Sequence, residues 1–365
     1  MLIHVMNGPR LRGAETFAVQ LAEELARCGV RQRIVFLKGL SSPRPAIDGC
    51  EIAPRSATLS RLRAFSWLRA QLRAEGPSVV LCHGQGPLKE VLPALAFRGG
   101  RRPALALKQI GMILPWLRTH AAVRKALNRW LLARTDMCIC LGPKQAEELN
   151  AAFGVPAERI AIIPNGRRSP SHPGPAAPRD ASEILVVGSL SPEKNPALVL
   201  DLLEALRRDR PDLHLTFVGD GPLRPALERE VEARFPQGAV QFAGQVADVW
   251  PFYRRAGIHL LCSETEGVPG VVIEATLAGL PTVAWEVGDV ATVLEDGVNG
   301  RLTPFSDRAA LLRALAQVAG DPASWQRLRE GALEISPRFD LGRIAREYVR
   351  VLDLLPAPPA TGSVP

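Results

Sequence analysis

Residues 263–275 read Ser-Glu-Thr-Glu-Gly-Val-Pro-Gly-Val-Val-Ile-Glu-Ala, and they directly follow the apolar run Ile258–Cys262. That run is typical of a buried strand, and the segment after it predicts a loop and then a helix that ends near Gly279. In parallel α/β sheets, ligands bind where the carboxyl end of a strand meets a helix N-terminus. The free backbone amides of such a terminus suit a diphosphate. The stretch therefore predicts a ligand-binding α/β sheet.

Two carboxylates lie in this stretch, Glu266 in the predicted loop and Glu274 about one turn inside the helix. Carboxylates accept hydrogen bonds from sugar hydroxyls, so a hydroxyl-rich ligand would satisfy both. In the structural alternative, Glu266 caps the helix N-terminus and Glu274 is a surface residue. The spacing alone leaves both interpretations open.

Short apolar runs alternate with amphipathic stretches through most of the chain, which predicts parallel sheets with right-handed crossovers. The helix predicted over Ala14–Arg27 repeats apolar residues every four positions, and Gly29 is its expected stop. The predicted strands are Leu2–Met6, Arg33–Leu37, Val79–Cys82, Ala104–Leu107, Met137–Leu141, Ile160–Ile163, Ile184–Gly188, Leu215–Gly219, Val240–Ala243, Ile258–Cys262 and Pro281–Trp285.

With 365 residues, the chain suits two α/β domains of similar size. Residues 167–182 contain four prolines and almost no large apolar side chains, which is typical of a linker. We therefore expect one Rossmann-like domain over 1–166 and a second over 183–339. A helix over 340–355 is expected to return to the first domain, and residues 356–365 are expected to be a disordered tail.

The compartment is predicted from three features. The first residues lack the features of a signal peptide. No apolar stretch reaches the roughly 18 residues that a spanning helix needs. The cysteines lie in or beside apolar runs without a CxxC pair, which favours buried, reduced thiols over a zinc site. These cysteines are Cys28, Cys50, Cys82, Cys138, Cys140 and Cys262. We expect a cytoplasmic protein, at most peripheral on the inner face of the cytoplasmic membrane.

The net charge of +8 is unevenly distributed along the chain. Residues 1–165 hold 24 Lys+Arg and 11 Asp+Glu, a balance of +13, whereas the remainder holds 21 and 26, a balance of −5. The first half therefore either faces an anionic surface or partner, or has an arginine-rich solvated exterior.

The motifs together resemble those of the retaining glycosyltransferases of family four, which have the GT-B fold and are related to glycogen and sucrose synthases. The hallmark of that family is an E-G-x-P-x-x-x-x-E-A pattern, which Glu266–Ala275 matches residue for residue. The resemblance extends over nearly the whole chain. It includes Gly13-Ala14-Glu15, His83-Gly84, Ile163-Pro164-Asn165-Gly166, Val187–Lys194, Val218–Pro222, Gly244-Gln245-Val246 and Asp296–Gly300.

The resemblance implies roles for particular residues in several of these segments. Glu274 is expected to bind the nucleotide ribose, Glu266 to contact the transferred sugar, and Lys194 to neutralise the diphosphate leaving group. His83 is expected to be catalytic or to contact the acceptor, or else to be structural. Further donor contacts are expected from Gly13, Gly188, Ser189, Gly219, Asp220, Gln245, Val246, Gly267, Val268, Pro269, Gly270 and Val271.

The sequence departs from the family pattern at two positions. Ser189 stands where the family usually has an arginine that contacts phosphate, and Arg167, Arg168 or Arg10 could compensate. Lys108 stands near the place of a usual histidine. The departures keep two alternatives open: a nucleotide-sugar epimerase or hydrolase of the same fold, and a weakly active sugar-nucleotide-binding partner in a polysaccharide assembly.

The resemblance implies two Rossmann-like domains that face each other across a cleft, and retaining transfer from a UDP- or GDP-sugar to a sugar or lipid-linked acceptor. Cell-surface polysaccharide or lipopolysaccharide synthesis is the expected pathway. No cofactor, metal or nucleic-acid partner is expected, and the sequence contains no D-x-D motif.

A membrane surface is a further predicted partner. Within Leu114–Ala133, aromatic and aliphatic residues alternate with cations, which suits the interface of an anionic membrane. The apolar set is Trp116, Leu117, Val123, Leu127 and Trp130, and the cations are Arg118, Arg124, Lys125 and Arg129. Alternatively, the tryptophans belong to the core and the arginines are simply solvated.

Overall fold

The computed structural model describes residues 1–8, 13–38, 50–54, 61–73, 76–96, 102–116, 121–169 and 180–353. The chain divides into two compact units. Unit 1 comprises Met1–Asn165 and the segment from Leu341 onward, and unit 2 comprises Gly166–Asp340. The predicted tail over 356–365, Arg10, and residues 170–179 of the predicted linker lie outside the described residues.

The described residues form parallel strands and helices that alternate along the chain. The strands are β1 Leu2–Met6, β2 Gln32–Phe36, β3 Cys50–Pro54, β4 Val79–His83, β5 Ala104–Lys108, β6 Met137–Cys140, β7 Ile160–Ile162, β8 Asp180–Val187, β9 His214–Val218, β10 Val240–Gly244, β11 Ala256–Leu261, β12 Thr282–Trp285 and β13 Gly300–Thr303. The helices are α1 Gly13–Arg27, α2 Arg61–Arg73, α3 Gln85–Ala96, α4 Ala121–Leu132, α5 Pro143–Glu147, α6 Pro196–Arg207, α7 Arg224–Arg234, α8 Trp250–Arg255, α9 Gly270–Leu277, α10 Arg308–Gly320, α11 Pro322–Ile335 and α12 Leu341–Asp353.

Unit 1 is built on a sheet with the strand order β3-β2-β1-β4-β5-β6-β7, in which all neighbouring strands are parallel. Helices cover both faces, and the strands are mostly apolar, with a few buried polar residues such as His4 and Gln32 among them. On one face, α1 packs against α12: Phe17 and Leu21 are buried with Ile344 and Tyr348. Helix α12 therefore completes the core of the first unit.

Unit 2 has a sheet with the strand order β10-β9-β8-β11-β12-β13, again parallel throughout. Its largest core cluster packs α6 and α10 against the sheet through Leu200, Leu203 and Leu311, which are fully or almost fully buried. In each sheet the strand order reverses at one point, between β1 and β4 in unit 1 and between β8 and β11 in unit 2. Ligands of open α/β sheets bind outside the carboxyl ends of the strands at such a reversal.

The predicted α/β architecture is confirmed, with three differences in detail. Two strands without long apolar runs, β3 and β13, were not predicted. The predicted linker is too long at both ends, because Arg167 is buried within unit 2 and Asp180–Ser182 already belong to β8. Cys28 is exposed rather than buried, whereas Cys82, Cys138, Cys140 and Cys262 are buried free thiols. No described helix has the length and apolar character needed to cross a membrane.

Candidate active site

The loops that follow β8 and β11 meet at the strand-order reversal of unit 2. The amide of Glu264 donates to the carbonyl of Glu193 at 2.8 Å, and the Asn195 side chain donates to the Glu264 carboxylate at 3.2 Å. Asn195 ends the short turn Pro192–Lys194 in a left-handed conformation. These contacts hold the two loops together and fix the position of Lys194 between them.

Lys194 and Glu266 form an ion pair, with Nζ 2.6 Å from Oε1. The lysine side chain is partly exposed and the glutamate side chain is mostly buried. Lys194 is also the only lysine after Lys144 in the sequence. An ammonium held in this way offers a positive charge to an incoming anion, and the carboxylate keeps it in place.

The backbone beneath Glu266 is tightly packed. A Cβ on Gly288 would lie 1.8 Å from the carbonyl oxygen of Glu266, and Gly288 has a φ of +55°. Only glycine allows both the close approach and this backbone conformation without strain. The loop after β12 therefore supports the position of Glu266.

Glu274 is the fifth residue of α9, and both of its carboxylate oxygens accept hydrogen bonds. Arg167 Nε donates to Oε1 at 3.0 Å, and the Tyr253 hydroxyl donates to Oε2 at 3.0 Å. Burial raises the pKa of Glu274, and Arg167 opposes that rise. The pKa of Tyr253 is raised well above its usual value by burial and by the neighbouring carboxylate. These contacts contradict the surface alternative for Glu274.

The N-terminus of α9 has backbone amides without a partner in their own helix. Pro269 is the N-cap and no side chain caps the helix, so Glu266 is not the capping residue. The first amides, at Gly270 and Val271, cannot reach a carbonyl of their own helix. A Cβ on Gly270 would lie 2.0 Å from Nη2 of Arg167, which places the guanidinium directly against the first turn of α9. Of the three arginines considered from the sequence, Arg167 is the one that the described residues show bonded to Glu274, whereas Arg10 lies outside them.

Apart from Gly13, which belongs to unit 1, the remaining predicted donor contacts lie on loops of the same unit. Gly188 and Gly219 directly follow β8 and β9. Their backbones are in close contact, because a Cβ on Gly219 would lie 1.9 Å from the Gly188 carbonyl oxygen. Ser189 and Gln245 are exposed, and Val246 is half-buried. Asp220 is exposed and accepts a bond from Arg224 at 3.2 Å. Gly267 and Val268 lie in the loop before α9.

The first unit contains a buried chain of polar side chains that the sequence did not predict. His4 Nδ1 lies 3.0 Å from His83 Nε2, and His4 Nε2 lies 2.9 Å from Gln32 Oε1. The Gln32 amide donates in turn to the carbonyl of Ala22. This orientation of Gln32 places the proton of His4 on Nε2, so His4 Nδ1 accepts from His83 Nε2. His83 Nδ1 is then the unprotonated nitrogen.

Burial lowers the pKa of both histidines. The pKa of His4 falls to about 4, and that of His83 falls well below its usual value, with His4 and Lys108 adding to the effect of burial. His83 ends β4 and pairs in register with Lys108 at the end of β5. The Lys108 ammonium is buried, donates to Asn165 Oδ1 at 2.8 Å and lies 4.2 Å from the ring centroid of Phe17.

The structure therefore places His83 at the carboxyl edge of the sheet, but buried and bound to His4. A role for His83 in catalysis or acceptor contact stays a prediction. Gly13 begins α1, after residues that lie outside the described ones. The partners of Glu274 and His83 are far away in sequence, and no local motif marks Tyr253 or His4.

Comparison with known sequences identifies both halves of the chain. Residues 12–166 match the family described as "Glycosyl transferase 4-like domain", and residues 168–334 match "Glycosyl transferases group 1". A glycogen synthase of Mycobacterium tuberculosis H37Rv is 29% identical over 231 residues, covering 62% of this chain and 56% of that protein. A D-inositol 3-phosphate glycosyltransferase of Thermobispora bispora is 27% identical, covering 64% and 60%. The chain spans a little over half the length of these relatives.

Solved structures share the fold at lower identity. The Anabaena protein HepE in complex with UDP has a TM-score of 0.76 and 19% identity, covering 96% of this chain and 99% of that one. A glycosyltransferase from Rickettsia africae has a TM-score of 0.79 and 14% identity, covering 97% and 98%. Adjoining matches over 12–334, the two parallel sheets and the E-G-x-P-x-x-x-x-E-A motif at the strand-order reversal agree: the chain belongs to the family-four glycosyltransferases of the GT-B fold.

Proposed function

We propose that the protein transfers a sugar from a nucleotide diphosphate-sugar to an acceptor hydroxyl, with retention of the anomeric configuration and without a metal. The observation that carries the proposal is the Lys194–Glu266 pair at 2.6 Å, beside the uncapped N-terminus of α9. Ammonium and helix amides are suited to a diphosphate, and the carboxylates are suited to hydroxyls.

Each group has a distinct part in the transfer. The bond between the anomeric carbon and the diphosphate oxygen breaks, and a bond to the acceptor oxygen forms on the same face of the sugar. The acceptor proton passes to the departing diphosphate. Lys194 and the amides of Gly270 and Val271 oppose the charge that grows on the diphosphate. Glu266 orients the sugar, and Glu274 binds the ribose.

The proposed donor is a UDP- or GDP-sugar. Support comes from HepE, whose structures contain UDP and UDP-glucose. The proposed pathway is the synthesis of cell-surface polysaccharide or lipopolysaccharide, on the cytoplasmic side of the membrane. A lipopolysaccharide outer core galactosyltransferase, WaaB, shares the fold with a TM-score of 0.73 and 16% identity.

Transfer from a panel of UDP- and GDP-sugars, followed by NMR of the product anomer, tests the proposal. We expect turnover that depends on an acceptor and a product with the donor's anomeric configuration. An inverted product would contradict retention. Turnover without an acceptor would favour a hydrolase or epimerase, and binding without turnover would favour a non-catalytic partner.

Glu274→Ala is expected to weaken nucleotide binding about tenfold or more, which corresponds to about 1.4 kcal/mol. The variant removes a buried acceptor of ribose hydrogen bonds and leaves Arg167 and Tyr253 without their partner. Calorimetric titration with UDP and GDP measures the dissociation constant. Glu295→Ala, which removes an exposed ion pair with Arg338, is the control. An unchanged dissociation constant in a folded Glu274→Ala protein would remove Glu274 from the ribose role.

Activity is expected to survive removal of divalent metal, because Lys194 and the α9 amides supply the positive charge that a metal would otherwise provide. The measurement is the initial rate of transfer before and after treatment with a chelator. Loss of transfer that added magnesium or manganese restored would contradict this expectation.

An anionic membrane is the proposed partner of unit 1, and a lipid-linked acceptor would be reached there. Helix α4 exposes 70% of Val123 and 47% of Trp130, and Leu127 is also exposed. Lys125 and Arg129 are exposed on the same helix. Exposed apolar side chains beside cations favour the membrane interpretation over a purely solvated surface.

Sedimentation with liposomes measures the binding of the protein to a membrane surface. We expect binding to anionic liposomes that decreases with added salt, because exposed charges are screened, and no binding to neutral liposomes. The double variant Lys125→Glu/Arg129→Glu should bind anionic liposomes more weakly. The control double variant Arg27→Glu/Arg73→Glu, with its changes at the ends of α1 and α2, should bind them as the wild type does. Equal recovery in the supernatant with both liposome types would leave a soluble acceptor.

A further inference from the structure

Arg167 is an arginine that is buried within unit 2, with only 6% of its surface exposed. Its backbone amide donates to the carbonyl of Phe339 at 3.0 Å, which fixes the position of the main chain. Two of its three guanidinium nitrogens also donate within unit 2: Nε to Glu274 Oε1 at 3.0 Å, and Nη1 to the Gly166 carbonyl at 3.1 Å. The third nitrogen, Nη2, has no acceptor among the described residues.

Nη2 points toward the N-terminus of α9. Gly270 and Glu274 are four positions apart in this helix, so they lie on the same face, about one turn from each other. Arg167 spans that turn, because Nε reaches the carboxylate of Glu274 while Nη2 lies against Gly270. A Cβ at residue 270 would collide with Nη2. The guanidinium therefore occupies the space that a side chain at this position would need.

Several donors are thereby brought together at the start of α9. The amides of Gly270 and Val271 have no acceptor in their own helix, and no side chain caps them. The helix dipole adds a partial positive charge at this end. Lys194 is bound to Glu266, four positions before Gly270. Nη2 of Arg167 adds a charged donor to this group, and together these donors suit a phosphate.

Another arginine of unit 2 shows how a guanidinium binds a buried carboxylate when that is its whole role. Arg255 uses both Nε and Nη2 on Glu183, at 2.7 and 2.6 Å, so the pair is bidentate. Arg167 uses only Nε on Glu274, and the second oxygen of that carboxylate accepts from Tyr253 instead. The geometry of Arg167 thus leaves Nη2 available beside the helix amides.

We propose that Arg167 binds the diphosphate of the nucleotide-sugar donor through Nη2, beside the amides of α9. The assignment rests on the proposed transferase function, and it adds a second cation to the one that Lys194 supplies. Ser189, which stands where the family pattern has an arginine, is exposed and uncharged. Arg167 therefore approaches the same anion from the other end of unit 2's sequence, on the segment that precedes β8.

The test is calorimetric titration of the full chain with inorganic pyrophosphate, UDP and GDP, in buffer without divalent metal. Arg167→Ala is expected to weaken pyrophosphate binding about tenfold or more, because a charge-assisted hydrogen bond to phosphate is lost. Pyrophosphate has no ribose, so an arginine that acted only by holding Glu274 would leave its affinity unchanged. Absence of pyrophosphate binding by the wild type, or full pyrophosphate affinity in Arg167→Ala, would overturn the proposal.

Arg255→Ala is the matched control, because it also separates an arginine from a buried glutamate of unit 2. Arg255 directly precedes β11, whereas α9 follows that strand, so the variant should bind pyrophosphate as the wild type does. Gly270→Ala is a second variant for the case that Arg167→Ala does not fold. It keeps every charge, and its Cβ displaces Nη2, so it should also weaken pyrophosphate binding. Full affinity in Gly270→Ala would count against the proposal.

UDP and GDP separate this proposal from the transferase function. If neither nucleotide binds the wild type, the nucleotide-sugar donor is wrong. A loss of pyrophosphate affinity in Arg167→Ala would then still assign an anion site to Arg167. If a nucleotide binds and Arg167→Ala weakens that binding without weakening pyrophosphate binding, the transferase function stands and the diphosphate contact of Arg167 is wrong.

Discussion

Replacing Lys194 with alanine is expected to lower the kcat of sugar transfer about a hundred-fold or more, with a much smaller change in the KM of the donor. The charge that Lys194 opposes grows as the diphosphate leaves, so the interaction is stronger in the transition state than in the bound donor. Removal of one such stabilising group typically costs a factor of about 10² to 10³. Steady-state rates at several donor concentrations separate the two parameters.

The variant also leaves Glu266 without its partner at 2.6 Å, so a conservative change is needed beside it. Lys194→Arg keeps the charge but not the geometry, and it should retain part of the activity. Arg210→Ala removes an exposed ion pair with Asp212 near the start of β9 and should leave kcat unchanged. A rise in the KM of the donor with an unchanged kcat would show that Lys194 binds the donor equally well before and during transfer.

Acidification is expected to destabilise both units, through the buried histidines of each. The pKa of His4 in unit 1 is lowered to about 4, and that of His259 in unit 2 to about 3, in both cases mainly by burial. His83 shifts in the same direction. Each of these rings is neutral in the folded protein and takes up a proton on unfolding once the pH is below about 6.5.

The sign and size of the effect follow from proton linkage. A lowered folded-state pKa contributes stability that is complete above about pH 6.5 and is lost as the pH falls toward the folded value. Each histidine then removes about 1.4 kcal/mol from the free energy of unfolding per pH unit. Between pH 6.5 and about pH 4, His4 or His259 alone would remove about 3 kcal/mol. That is a large part of the 5–15 kcal/mol of a typical domain.

Urea unfolding at a series of pH values measures this slope. His259→Gln removes one titrating ring. The free energy of unfolding should then decrease less steeply with falling pH, by about 1.4 kcal/mol per pH unit. A free energy of unfolding that stayed constant from neutral pH to about pH 4 would contradict the expectation.

The strands that could be predicted from the sequence are those that are buried on both faces of a sheet. β1, β4, β5 and β11 are predominantly apolar, and the structure has all of them within two residues of the predicted bounds. β3 and β13 lie at sheet edges, where fewer neighbours require apolar residues, and their sequences, Cys-Glu-Ile-Ala-Pro and Gly-Arg-Leu-Thr, carry no such signal.

The candidate site could be predicted only as far as its motif extends. Glu266 and Glu274 are eight positions apart and lie on one loop and the helix that follows it, so their proximity is local. The pairing of Arg167 with Glu274 joins residues 107 positions apart, and that of His4 with His83 joins residues 79 positions apart. Contacts of this kind depend on the order of the strands in the sheet, which cannot be predicted from the local pattern of a single sequence.

The return of α12 to unit 1 has a consequence for biosynthesis. A ribosome that has just finished residue 165 has not yet made Ile344 and Tyr348, which cover Phe17 and Leu21. Unit 2, by contrast, lies on one uninterrupted segment, Gly166–Asp340. Domains emerge and fold as units during translation. The core of unit 1 therefore closes only after unit 2 has been synthesised, and the apolar face of α1 stays uncovered on the nascent chain until α12 emerges.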